Sequence, residues 1–126
     1  MAAEIILEIP LPAEAISMND TPWKQRKLTP LWRDAAYMRW CEAHPGVGPS
    51  GRAAPCPAEV HVTIPFALHR TRDSINYSRT VKAIVDGLKL AGAWPDDTDA
   101  YVVQHTPTLV ESRSLPVLVR ITQRST

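Results

Sequence analysis

Between Val60 and Phe66 every second residue is apolar (Val60, Val62, Ile64, Phe66), with His61, Thr63 and Pro65 between them. That is the period of a strand with one buried face. A different period follows. Val81, Ile84, Val85 and Leu88 stand at i, i+3, i+4 and i+7, which predicts a helix from Tyr77 to Ala91 that buries this stripe and closes at Gly92. Gly87 lies inside that helix, where glycine costs up to ~1 kcal/mol relative to alanine, and nothing in the sequence accounts for it.

The same reasoning places the remaining elements. Glu4 to Ile9 is rich in isoleucine and leucine and stops at Pro10, as a first strand near a sheet edge would. Pro10 to Thr29 reads as irregular and basic. Thr29-Pro30 has the form of an N-cap with proline at the first helical position, opening a helix through His44. Leu31, Ala35, Met38 and Cys41 recur on it at helical spacing, widened by Trp32 and Ala36. Pro45 to Pro57 holds four prolines and three glycines and reads as a connector. Tyr101–Thr106 predicts a third strand and Leu115–Thr122 a fourth, with Val117, Val119 and Ile121 alternating. The chain of 126 residues has room for one core, so the expected architecture is a single α/β (α+β) domain spanning 1–126, with a mixed four-stranded sheet and two main helices.

Composition adds exclusions. The N-terminus lacks a positive lead-in and meets Pro10 and Pro12 early, so no signal peptide is expected, and no apolar run is long enough to span a bilayer. Cys41 and Cys56 lack Cys-x-x-Cys spacing, which argues against a zinc knuckle or disulfide framework and for a reducing cytoplasm. The net charge of +1 is small for a phosphate-binding protein. Its distribution is uneven: Lys24, Arg26, Lys27 and Arg33 cluster early, His69, Arg70 and Arg72 precede Asp73, and acids gather at Asp96, Asp97 and Asp99. His44, His61, His69 and His105 are scattered without ligand spacing and read as surface or strand positions. Trp32, Trp40 and Trp94 read as core or dimer contacts.

The candidate chemistry is Asp73, Asp96 and Asp97 with Lys82 on the helix between them. Convergent carboxylates hold magnesium, a hard cation that takes oxygen ligands and keeps several waters. Each aspartate alone is also ordinary turn chemistry. A helix from Tyr77 to Ala91 is ~22 Å long, so convergence requires connectors that fold back along it, or completion of the site by a second subunit.

The run Arg72-Asp73-Ser74-Ile75-Asn76, then Val81-Lys82-Ala83-Ile84-Val85-Asp86-Gly87-Leu88, then Ala91-Gly92-Ala93-Trp94-Pro95-Asp96-Asp97 resembles the core of the RusA-type Holliday junction resolvases. That core reads Arg-Asp-x-Asp-Asn, Lys with Asp four residues on, then Ala-Gly, an apolar pair and Asp-Asp. Ile9-Pro10-Leu11-Pro12 and Ser17-Met18-Asn19 resemble the family's opening strand and loop. The resemblance implies a RusA-like fold, a homodimer, branched DNA (a four-way junction) as substrate, and magnesium, with manganese as a substitute. It also implies a phage or prophage protein acting in a bacterial cytoplasm. Asp73 and Asp97 take the places of the first and last catalytic, metal-binding aspartates, and Lys82 that of the active-site lysine. Two departures stand out. Ile75 occupies the place of a metal-binding aspartate, and the stretch from Asn76 to Lys82 is three residues longer than in the best-known form. Asp96 and Asn76 are the candidate compensating ligands.

Trp23-Lys24-Gln25-Arg26-Lys27 mixes an aromatic with three cations, which suits phosphate contact or a wedge at an opened junction. Lys24, Arg26 and Lys27, with Arg70, Arg72 and Arg79, are therefore the candidate DNA contacts. The alternative, motivated by Ile75, is a catalytically weak or inactive RusA-like protein that binds branched DNA or a protein partner. A third reading is a small interaction domain with a structural acidic turn.

Overall fold

A computed structural model describes residues 4–45, 54–68 and 70–124. His69 and most of the Pro45–Pro57 connector fall outside these residues. The elements in order are β1 (Glu4–Ile9), α1 (Pro22–Ala43), β2 (Ala58–Phe66), a 3-10 turn (Ser74–Tyr77), α2 (Ser78–Leu90), β3 (Val102–Gln104), β4 (Thr108–Glu111) and β5 (Val117–Gln123). The result is an α+β fold with a mixed five-stranded sheet and two helices. No helix among the described residues is long and apolar enough to cross a membrane.

The sheet is built on β2. It pairs antiparallel with β5, which pairs antiparallel with β1 at the edge, while β3 and β4 both run parallel to β2 on its other side. Alternation then sorts the side chains. Leu7, Val119 and Val62 form one cross-strand row and Ile5, Ile121 and Val60 the next. These face the helices, and Val60, Val62, Val119 and Ile121 are at most 1% exposed. The opposite face carries Ile6, Arg120 and His61 in register and is open.

Three sequence expectations need correction. The first helix starts eight residues before Thr29-Pro30, at Thr21-Pro22, where Thr21 Oγ1 accepts from the Lys24 amide at 3.2 Å. The same Thr-Pro signature occurs twice, and the earlier copy is the cap. Pro30 sits inside the helix and removes the hydrogen bond its amide would give the Arg26 carbonyl. The neighbouring Thr29 hydroxyl donates to the Gln25 carbonyl at 2.7 Å. The buried face is also rotated: Leu28, Trp32, Ala36 and Trp40 are buried, whereas Leu31 and Met38 are 44% and 61% exposed and Cys41 is exposed. Finally, the short β4 was hidden behind Pro107, so the sheet has five strands and not four.

Gly87 now has a reason. A Cβ there would collide with the Arg33 carbonyl oxygen of α1 and stand 3.1 Å from Ala36 Cβ. The two helices thus cross backbone to backbone, with Trp32 and Ala36 packed on the α1 side. Below the crossing, Thr80 Oγ1, fully buried, accepts from the Ile16 amide at 2.9 Å and donates to the Ile16 carbonyl at 3.1 Å. That pair of bonds clips the β1–α1 connection to α2.

Gly87→Ala is therefore expected to destabilise the protein by about 1–3 kcal/mol through overpacking, despite the helix-propensity gain. Leu90→Ala, at an exposed position of the same helix, should change stability by less than about 0.5 kcal/mol. Urea unfolding of the two variants checks the contrast.

Candidate active site

The chain after α2 turns back because Gly92 takes φ 100°, a conformation that favours glycine. Its amide bonds the Lys89 carbonyl at 2.9 Å and the Ala93 amide bonds the Leu88 carbonyl at 3.0 Å. This is the double bond of a Schellman cap. Ala93 and Trp94 are then buried, and Trp94 Nε1 donates to the Pro55 carbonyl at 2.9 Å. With Trp94 anchored, the next residues run back along α2. The expected helix end at Gly92 and the core role of Trp32, Trp40 and Trp94 hold.

That reversal brings Asp97 to Lys82. The Lys82 ammonium donates to Asp97 Oδ2 and lies 3.1 Å from Asp86 Oδ1. Asp97 is pulled well below the usual carboxylate range, first by its hydrogen bond to Lys82 and next by Asp86. Asp86 moves the other way, chiefly because burial penalises its charge and then because of its bond to Asp97. Lys82 is raised, mainly by the bond to Asp97. The arrangement is one cation shared by two carboxylates. Asp86 lies one helical turn beyond Lys82, a spacing that signals an ion pair but does not say that Asp97 shares the lysine.

The other expected ligands stand apart from this centre. Asp96 Oδ1 accepts from the Asp97 amide at 2.8 Å and faces Lys89 at 3.4 Å. Asp73 is exposed at the entry of the 3-10 turn, and among the described residues its carboxylate has no hydrogen-bond or ion-pair partner. Ile75 is 55% exposed. The Asn76 carbonyl accepts from the Met18 amide at 2.7 Å, while Gln25 Nε2 on α1 donates to the carbonyls of Ser17, Met18 and Asp20 at 3.1–3.3 Å. The Ser17-Met18-Asn19 loop is thus held against the Asp73–Asn76 segment. Asp73, Asp96 and Asp97 do not gather into a three-carboxylate cluster; among the described residues the one three-ligand group is Glu59, His61 and His105.

The basic residues divide by partner. Lys24 is neutralised by Glu14 at 3.1 Å and Asp20 at 3.4 Å, and Lys27 lies over the Trp23 ring, 5.4 Å from its centroid. Lys24, Arg26 and Lys27 all belong to the first turns of α1, not to an irregular stretch. Arg72 stacks on Phe66 and donates to the Leu68 carbonyl at 2.9 Å, with exposed Arg70 beside it in the same cleft. Arg26, Arg33 and Arg79 line a groove of about 590 Å³ with Pro22, Gln25, Thr29 and Pro30. Arg79 also lines a second cleft, of about 480 Å³, with Lys82, Gln104 and His105. One arginine therefore joins the basic groove of α1 to the Lys82 centre.

His61 holds the strand position expected of it, exposed on β2, but with an unforeseen partner. His61 and His105 stack with ring centroids 4.2 Å apart and planes 6° from parallel, and His105 Nε2 lies 2.9 Å from Glu59 Oε1. They are 44 residues apart in sequence, so spacing along the chain carried no sign of the pair. His61 is held below the ordinary histidine range, first by burial and next by His105.

Because the folded Asp97 carboxylate titrates below its unfolded value, its contribution to stability is full above the ordinary aspartate range and is lost as pH falls through its own depressed pKa. Carbon-13 titration of the side-chain carboxyls in magnesium-free buffer should find Asp97 ionised where ordinary aspartates are already protonated. Lys82→Met should move it upward by more than one unit. An unmoved Asp97 would mean that Lys82 does not hold it. Comparison with known family models and with curated proteins finds no match.

Proposed function

We propose that this chain is a RusA-like, magnesium-dependent endonuclease that cuts four-way DNA junctions as a homodimer. The observation that carries the reading is the sharing of Lys82 by Asp86 and Asp97, with Lys82 also lining a cleft that Arg79 joins to a groove of arginines. A phosphodiester lying along Arg26, Arg33 and Arg79 arrives at Lys82. There the ammonium stabilises charge developing on the phosphoryl oxygens.

Magnesium fits the donor chemistry. It needs only one or two carboxylates beside water and phosphate oxygens, and Asp97 with Asp86 would hold it. Asp73 joins them through the family resemblance alone. When bound, the ion supplies Lewis-acid neutralisation of the phosphodiester and a lowered pKa for water. Lys82 and Asp97 hold each other in place before substrate arrives, so substrate does not have to order them. Arg79 aligns the backbone.

A second reading, a junction-binding protein with weak or lost cleavage, is favoured by the exposed Ile75 and by the Asp73 carboxylate, which has no partner among the described residues. One experiment separates them. A synthetic four-way junction is incubated with the protein, with and without magnesium or manganese, beside Lys82→Ala and Asp97→Asn. Metal-dependent paired nicking is expected, with each variant slower by roughly 100- to 1,000-fold and still able to bind. Binding without cutting at any metal concentration gives the second reading. No binding at low salt sinks both and leaves a structural acidic turn.

Two further outcomes follow from the same reading. Arg26→Glu and Arg79→Glu should weaken junction binding more than Arg120→Glu, whose guanidinium is already paired with Glu4 at 3.1 Å. Each should also flatten the salt dependence by about one unit of slope for every phosphate that is no longer neutralised. Light scattering should give a dimer mass, because paired cuts on a two-fold junction need two-fold placement.

A further inference from the structure

We propose that Glu59, His61 and His105 form a binding site for a divalent transition metal, of which zinc is the best match, on the open face of the sheet. The proposal does not rest on the nuclease reading. Glu59 and His61 are two apart on β2 and so project to the same side. β3 pairs Glu59 with Val103 and Val60 with Gln104, and continuing that register sets His105 beside His61. Here the chain leaves the sheet: the His105 amide still reaches the Val60 carbonyl at 3.2 Å, and pairing resumes only at Thr108 with Thr63. The His105 ring lies against both Glu59 and His61.

One ligand atom from each residue lies within 4.8 Å of the others. A tetrahedral zinc with bonds of ~2.0–2.1 Å holds its ligands roughly 3.3 Å apart, so binding requires the two stacked rings to tilt out of their parallel arrangement and aim both lone pairs at one ion. Two imidazoles and a carboxylate match the three-ligand zinc set, which leaves a fourth position to water or an exogenous ligand. The two imidazoles are borderline-soft donors that suit zinc and not magnesium. Glu59 supplies a negative charge beside the rings. The opposing charge is Arg120, in register with His61, and it is itself engaged by Glu4. His105 also lines the cleft that holds Lys82, so an ion here fixes that wall in place.

The test uses the full chain with Cys41→Ser, which removes the exposed thiol as a competing ligand. Zinc is titrated calorimetrically in excess magnesium, and cobalt is followed by its visible absorption. One ion per chain with a tetrahedral cobalt spectrum is expected. His61→Ala and His105→Ala should each weaken zinc binding on the order of 100-fold, and Glu59→Gln by about 10-fold. Because His105 borders β3, each variant is paired with its circular dichroism and melting temperature without metal. Zinc-induced shifts of the His61 and His105 ring protons in the parent protein, with His44 unmoved, give a readout that needs no variant. Zinc binding undiminished in both histidine variants, no shift at either ring, or no zinc bound by the parent would overturn the site.

Discussion

The contact on which the molecule depends is the crossing of α1 over α2, where the Arg33 carbonyl lies against Gly87. Any side chain at that point would push the helices apart. Closing the gap lets Trp32 and Ala36 join the same core as Val60 and Val62 of the sheet. It also sets how α2 lies against α1, and so the place from which the Gly92 cap turns the chain back toward Lys82. The helix weakened by its glycine is thus the helix positioned by it. The loss in propensity, about 1 kcal/mol, is small against the core packing it permits.

Much of this was legible in the sequence, and the boundary is instructive. The strands around Val60–Phe66 and Val117–Ile121 and the stripe of α2 were readable because a buried face imposes its period on local residue choice. The Gly92 stop was readable because a Schellman cap demands one residue type at one place. The start of α1 was not: Thr21-Pro22 and Thr29-Pro30 are equivalent as local signals, and it is the burial of Leu28, which lies between them, that speaks for the earlier one. β4 was missed because four residues after Pro107 are too few to show alternation. At the candidate site, Lys82 and Asp97 were legible through their motif and their meeting followed from a turn. The pairing of His61 with His105 depends on register between two parallel strands, which no local spacing encodes.

The near-zero net charge also resolves once partners are known. Lys24, Lys82 and Lys89 are each matched by carboxylates, so much of the negative charge serves lysines. The arginines of the groove are left with little opposition: Arg33 meets only the exposed Asp34 at 3.2 Å. A sum over the chain averages these environments away. Because most of the pairs are exposed, each contributes little to stability; their effect is to decide which cations stay without a carboxylate partner.

The splitting of β3 from β4 has a consequence for association. A continuous strand at a sheet border is a template on which another chain can add, and proteins blunt such borders. Here one border is made of strands of three and four residues, separated by a stretch that contains the buried Pro107. It offers no uninterrupted run of unpaired amides and carbonyls. The other border is β1, six residues long, with Glu4 and Glu8 flanking the exposed Ile6 and Pro10 closing it. Growth of the sheet by strand addition is therefore confined to one short, acidic side.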